Sequence, residues 1–232
     1  MQKPIFLLLS ITLLSCSQRN VPLALRGTIN RIDKHLNDTV KYDFRIAPES
    51  VATTKHHFGL GLAVRNGYNL WKGGLLKTFF KLHGIWHADD MSGIILTTYH
   101  RKLNGKPIKF KEQKHFYKTY WELAEMGQDT LDIWWETIFP DEASENDKEM
   151  YFSHFEPDKE VMGEINAWRE HTNGASGSGV TFLARVLSLE GQKLLMRITN
   201  LGTPKEGYSL TLQIGDTLST HPNDVYLIPD TN

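Results

Sequence analysis

The strongest constraint on the fold of this 232-residue chain is a change of period partway along it. Up to about Trp135 the apolar side chains recur every three or four residues, which gathers them on one stripe of a helix, and the breaks carry Gly, Pro, Asn and Asp. The text then turns polar and acid-rich in PDEASENDK, 140–148, and beyond it apolar residues come in β-rich runs. A helical stripe cannot serve as a strand face, so the chain is expected to be α+β, an N-terminal all-helical domain followed by a small antiparallel β-sheet or barrel domain. The expected boundaries are a helical domain over 28–138, a linker over 139–148 and a β domain over 149–230.

Within the first part the spacing predicts short helices over 28–36, 39–46 and 50–66. A fourth lies in GGLLKTFFKLHG, with Leu75, Leu76, Phe79 and Phe80 inward and Gly84 as a stop. The helix over 90–103 shows the clearest stripe, Met91, Ile94, Ile95, Thr98 and Tyr99, and ends at NGKP. The next repeats Gln113, Phe116, Tyr117, Tyr120, Trp121 and Ala124. In the second part, two β-rich runs flank Glu190, Gly191 and Gln192 and predict a hairpin, with further strands in YSLTLQIG, 208–215, and DVYLIP, 224–229. NGASGSG, 173–179, reads as a flexible loop, because neither a lysine nor a helix follows it as a phosphate cradle requires.

The N-terminus carries an address. Lys3 precedes the apolar run IFLLLSITLL, 5–14, which is too short to span a bilayer, and then comes Cys16, the only cysteine in the chain. The ending LLSC resembles the lipobox of bacterial lipoproteins, apart from Leu14, where that family prefers a smaller residue. The resemblance implies a signal peptide over 1–15, acylation at Cys16 and a tether over 16–27, with anchoring in the outer membrane because Ser17 is not an aspartate. Cleavage and acylation would leave no free thiol, which excludes disulfides and cysteine catalysis. Lysine and arginine number 26 against 27 acids, so the whole chain offers no global field to gather nucleic acid, and partners must be recognised locally.

The stretch HADDMSG, 87–93, is the sharpest candidate for chemistry. An aspartate at a helix start accepts hydrogen bonds from the exposed N–H groups and sits well in the helix dipole, which explains Asp89 and Asp90 without a substrate. The alternative is an acid–base or metal site in which a carboxylate orients His87. His56, His83 and His100 add ligand types, yet Gly84 separates His83 from His87, so no three ligands are expected to converge and no metal or cofactor is expected. Arg65 shares a helix face with Phe58 and Leu62, and a guanidinium on an apolar face needs an anion, for which Asp89 and Asp90 are the candidates. Trp71 and Trp86 fall in loops and suit a binding surface, whereas Trp121, Trp134 and Trp135 fall at core spacing.

The block over 58–108 resembles the DUF6794 family, a domain of unknown function. Phe58, Gly59, Gly61, Arg65, Asn66, Leu70, Trp71, Gly84, His87, Asp89, Asp90, Met91, Ser92 and LNGKPI, 103–108, match its pattern, while Tyr68 and Ala88 depart from it. The resemblance implies a shared fold and surface but carries no activity. The resulting expectation is a lipid-anchored, non-enzymatic binding or interaction module. Its surface would include Arg65, Asn66, Trp71, Trp86, His87, Asp89, Asp90 and His100, its partners being the membrane through Cys16 and an envelope protein or glycan, not nucleic acid. The competing expectation is an envelope hydrolase centred on His87, Asp89 and Asp90.

Overall fold

The computed structural model describes residues 21–127, 129–130, 141–168 and 177–230. Cys16, Trp134 and Trp135 lie outside the described residues, as does most of the glycine-rich stretch after Asn173, whose last residues open a strand. The chain is α+β and divides into two compact units, one of 1–36 and 47–147, the other of 37–46 and 148–232.

In the first unit, helix α1 spans Leu23–His35, α3 Glu49–Lys55, α4 Leu62–Gly67, α5 Leu75–Leu82, α6 Ala88–Leu103 and α7 Phe110–Met126. The middle of the unit is α6, which touches α1, α3, α4, α5 and α7. Its sequence makes this possible, because Met91, Ile94, Ile95, Leu96 and Tyr99 are all fully buried and Ala88, Ser92 and Thr98 let neighbours approach on the other sides. The last turn of α6 is tied down by Arg101, which grips both carboxylate oxygens of Glu49 at 2.8 and 2.6 Å, and Gly105, with φ of 63°, lets the chain leave.

Two helix readings change. The first helix starts at Leu23, inside the expected tether, because Pro22 is a good start residue and Leu25 has a fully buried place to go. The expected continuous helix over 50–66 is broken. Helix α3 stops at Lys55, a π-helical turn occupies His57–Gly61, and α4 resumes at Leu62. The turn closes with Gly61 N–H donating to the carbonyl of His56, five residues back, at 2.8 Å.

The second unit holds helix α2, Asp38–Ile46, started by Asn37, whose Oδ1 accepts from the N–H of Thr39 and Val40 at 2.8 and 3.1 Å. Its five strands are β1 Glu160–Trp168, β2 Gly177–Glu190, β3 Lys193–Leu201, β4 Thr217–Thr220 and β5 Val225–Leu227. They form one antiparallel sheet in the order β4-β3-β2-β1-β5, an open sheet rather than a barrel. The β2–β3 hairpin pairs Glu190 with Lys193 across Gly191 and Gln192, Gly191 taking φ of 58° as a two-residue turn requires. One face is the core, with Val180, Phe182, Ala184 and Val186 of β2 and Leu194, Met196 and Ile198 of β3 buried in alternation.

The stretch 208–214 is not a strand but irregular backbone with a single bridge, and the edge strand forms at Thr217 instead. None of its side chains is buried, so neither face of its alternation has a core to enter. The expected linker is helical from Asp141, within α8, Asp141–Phe152. Helix α2, expected in the helical domain, belongs to the sheet-bearing unit. There Asp43, fully buried, accepts from the Tyr151 hydroxyl at 2.6 Å and from the Leu227 N–H at 3.1 Å. Among the described residues no helix is long and apolar enough to cross a membrane.

Candidate functional site

Arg65 on α4 is 3 % exposed, and everything around it is arranged to satisfy its charge. Nη1 donates to Ser92 Oγ at 2.8 Å and lies 3.1 Å from Asp89 Oδ1, while Nη2 donates to the carbonyl of His57 at 3.3 Å. Ser92 Oγ in turn donates to the Asp89 carbonyl at 2.8 Å. His57 Nε2 stands 3.5 Å from the same Asp89 oxygen. The guanidinium also lies over the ring of Trp71, 5.7 Å from its centroid, and the Trp71 indole N–H donates to Asn66 Oδ1 at 3.2 Å.

The π-helical turn explains how the chain reaches this geometry, because its wider register presents the His57 carbonyl to Arg65. Gly61 makes the room. A β-carbon there would stand 3.1 Å from Arg65 Nη1.

A second cluster adjoins the first through Asp90, next in the chain to Asp89. His87 precedes α6 in extended backbone, and its ring stacks on Trp121 of α7 with centroids 3.9 Å apart and planes 15° from parallel. The Trp121 indole N–H donates to Asp90 Oδ2 at 2.7 Å. Burial pushes the Asp90 carboxyl above its usual range, against the Trp121 hydrogen bond and the nearby His87, with Asp89 adding to the rise. Burial and the charge of Asp90 likewise raise the Tyr117 hydroxyl. Tyr117 reaches over α6 at Gly93, where any side chain would collide with its hydroxyl.

The two aspartates therefore do more than start a helix. His87, the residue before α6, makes no side-chain capping hydrogen bond; both acids favour the dipole by position, while their oxygens go to Arg65 and Trp121.

The remaining candidates do not join. His83 donates to the Phe79 carbonyl at 2.8 Å and packs on Phe79 and Phe110. His100, 1 % exposed, donates from Nε2 to the Ala47 carbonyl at 2.8 Å and has Nδ1 3.7 Å from Glu49. His56 is buried, and Trp86 stands exposed beneath Lys81, whose Nζ is 5.3 Å from the ring centroid. Among the described residues no three His, Cys, Asp or Glu side chains are placed to hold a metal ion.

The family model for a domain of unknown function, DUF6794, matches residues 21–103. This stretch is a DUF6794 domain. It holds the whole Arg65 cluster and ends at the last residue of α6, so Trp121, the platform under His87, is supplied from beyond the matched segment. No curated protein and no solved structure matches the chain.

Three residues of the site carry no sequence signal of their role. His57 gave no signal, since a π turn has no residue signature. The role of Ser92 was hidden by its place in a first helical turn. Trp121 shares the spacing of Phe116, Tyr117 and Tyr120, which marks it for the core. The sheet-bearing unit offers a cleft of about 180 Å³ between Tyr42, His154, Lys159 and Asp230, smaller than the few hundred Å³ of ordinary ligand sites, and the Lys159–Asp230 ion pair, 2.6 Å long, lies on its wall.

Proposed function

We propose that the chain is a lipid-anchored cell-envelope protein, held at the outer membrane through Cys16, whose DUF6794 domain is a non-enzymatic binding module for an envelope protein or glycan. One observation carries the reading: the reactive-looking groups are occupied by one another while the rings beside them face water. Ser92 is fully buried and its hydroxyl both accepts from Arg65 and donates to the Asp89 carbonyl, so it is committed to structure and not poised as a nucleophile. Arg65 is spent on Asp89. By contrast Phe58 is 80 % exposed, Trp71 49 % and Trp121 38 %. Trp71 and Trp121 are also fixed by hydrogen bonds from their indole N–H groups, which lowers the entropy lost when a sugar ring or an apolar side chain covers them.

The test has two arms. For the module, the tethered protein is used to capture native envelope material, scored for protein and for sugar. Phe58→Ala with Trp71→Ala lowers the yield about tenfold, as the loss of two ring contacts implies, and an unchanged yield overturns the reading. For the anchor, Cys16→Ala moves the protein out of the membrane fraction, and unchanged fractionation refutes acylation.

A further inference from the structure

Charge in the first unit is strongly segregated, although the whole chain is nearly neutral. Over 50–111 the sequence has ten lysines and arginines and only two acids, Asp89 and Asp90. Both acids are already used inside the unit, by Arg65 and by Trp121; Arg101, Lys102 and Lys109 pair with Glu49, Asp33 and Glu112 from outside the stretch, so the excess of base rests on the lysines around α5.

Helix α5 lies in the middle of this stretch and shows an apolar ridge to solvent. Leu75, which the spacing places inward, is instead 93 % exposed while Leu76 and Phe80 take the buried face; Leu82 is 81 % exposed and the following Trp86 62 %. These positions are seven and four residues apart, so Leu75 and Leu82 share one face of the helix, and Phe79 lies between them. Lysines flank the ridge. Lys77 and Lys81 are on α5, Lys81 lies over Trp86, and Lys118 of α7 crosses Gly84. Lys114 sits over Phe110, which stacks on Phe79. Burial, then the charges of Lys118 and Lys111, pulls the Lys114 ammonium below its usual range.

We infer that α5 and the turn to Trp86 form a docking face for an anionic lipid surface. Aliphatic side chains this exposed gain by entering the acyl boundary, a tryptophan prefers the headgroup level, and lysines on long stems reach the phosphates. Each lysine near an anionic surface adds to the attraction, and the local excess of base supplies several. Nucleic acid would use the charge but leaves Leu75 and Leu82 with no partner, and a second copy of this chain would bring the same positive face against itself. The docking face does not depend on acylation of Cys16; it would orient the unit on a membrane reached by any route.

The full chain is mixed with vesicles whose acyl chains carry bromine, a short-range quencher of tryptophan. One set has about one third phosphatidylglycerol and the other only zwitterionic lipid. The part of the emission owed to Trp86 is the difference between the wild type and Trp86→Phe. It falls about twofold on the anionic vesicles and stays unquenched on the zwitterionic ones. Leu75→Glu with Leu82→Glu restores it, and since both positions face solvent the variant keeps its helical circular dichroism. The inference is overturned if the Trp86 emission is unquenched on anionic vesicles, if the double variant is quenched like the wild type, or if duplex DNA at the same salt protects Trp86 and the vesicles do not. Trp86 quenching reads α5 and fractionation of Cys16→Ala reads acylation, so either can fail with the other intact.

Discussion

Removing Asp89 isolates the energetic cost of a buried cation in this unit. Arg65 is 3 % exposed, and among the described residues its Nε has no partner and Asp89, at 3.1 Å, supplies its only countercharge. A hydrogen bond to a charged group contributes about 1.5–3 kcal/mol, and breaking a fully buried pair costs about 3–5 kcal/mol. Asp89 is 50 % exposed, and Ser92 and the His57 carbonyl remain after its loss, so Asp89→Ala should cost about 2 kcal/mol, near the lower end.

Arg65→Met keeps most of the volume and leaves Asp89 free to hydrate, so its cost is about 1 kcal/mol. In the Arg65→Met background, removing Asp89 costs only its small helix-dipole term, a few tenths of a kcal/mol. The double-mutant cycle therefore gives a coupling of about 2 kcal/mol. The assay is urea unfolding of the full chain followed by tryptophan emission. With a slope of about 2 kcal/mol per molar, Asp89→Ala lowers the midpoint by roughly 1 M. A coupling below about 0.5 kcal/mol would refute the claim that the site is closed around Arg65 by this carboxylate.

Glu49 and Tyr151 offer independent checks. Burial alone would raise the Glu49 carboxyl, but the imidazole of His100, its Nδ1 3.7 Å away, and the two hydrogen bonds and charge of Arg101 win and lower it to about 2. A depressed folded value means the stabilisation is complete above the unfolded value of 4.5 and is lost as pH falls toward 2. Allowing for solvent screening of a partly exposed side chain, about 2 kcal/mol of acid sensitivity between pH 5 and 2 should vanish in Glu49→Gln, measured by urea midpoints across that range. In the other unit, Tyr151→Phe removes one hydrogen bond to the fully buried Asp43 and should cost about 2 kcal/mol; the same cost in an Asp43→Asn background, measured by thermal unfolding, would contradict a charge-assisted bond.

The parts of the fold written in local spacing were legible, and those written in distant pairings were not. The stripe of α6 and the two-residue turn at Gly191 announce themselves within a few residues. Nothing near Asp43 shows that its partners are Tyr151 and Leu227, more than a hundred residues later. The run 208–214 alternates like a strand, but alternation predicts burial only if another layer exists to receive it. At the site, Arg65 stood out because a charge among apolar neighbours needs an explanation, and Asp89 answers it. His57 and Trp121 did not stand out, since a carbonyl exposed by a register slip and a ring shared between two helices are properties of the folded backbone.

The sheet-bearing unit is assembled from two separate pieces of chain, 37–46 and 148–232. During synthesis α2 leaves the ribosome about 180 residues before β5, the strand it packs on, and about a hundred before Tyr151, so about 5–20 s pass at ordinary elongation rates before the first of these partners emerges. Over that interval Asp43, destined for complete burial, has neither of its hydrogen-bond donors from Tyr151 and Leu227 and must stay hydrated. No single cut in the chain separates the two units, and a fragment beginning at 148 would present β5 with a missing acceptor at Leu227. The order of translation thus lets the helical unit, 1–36 and 47–147, form before this sheet can close.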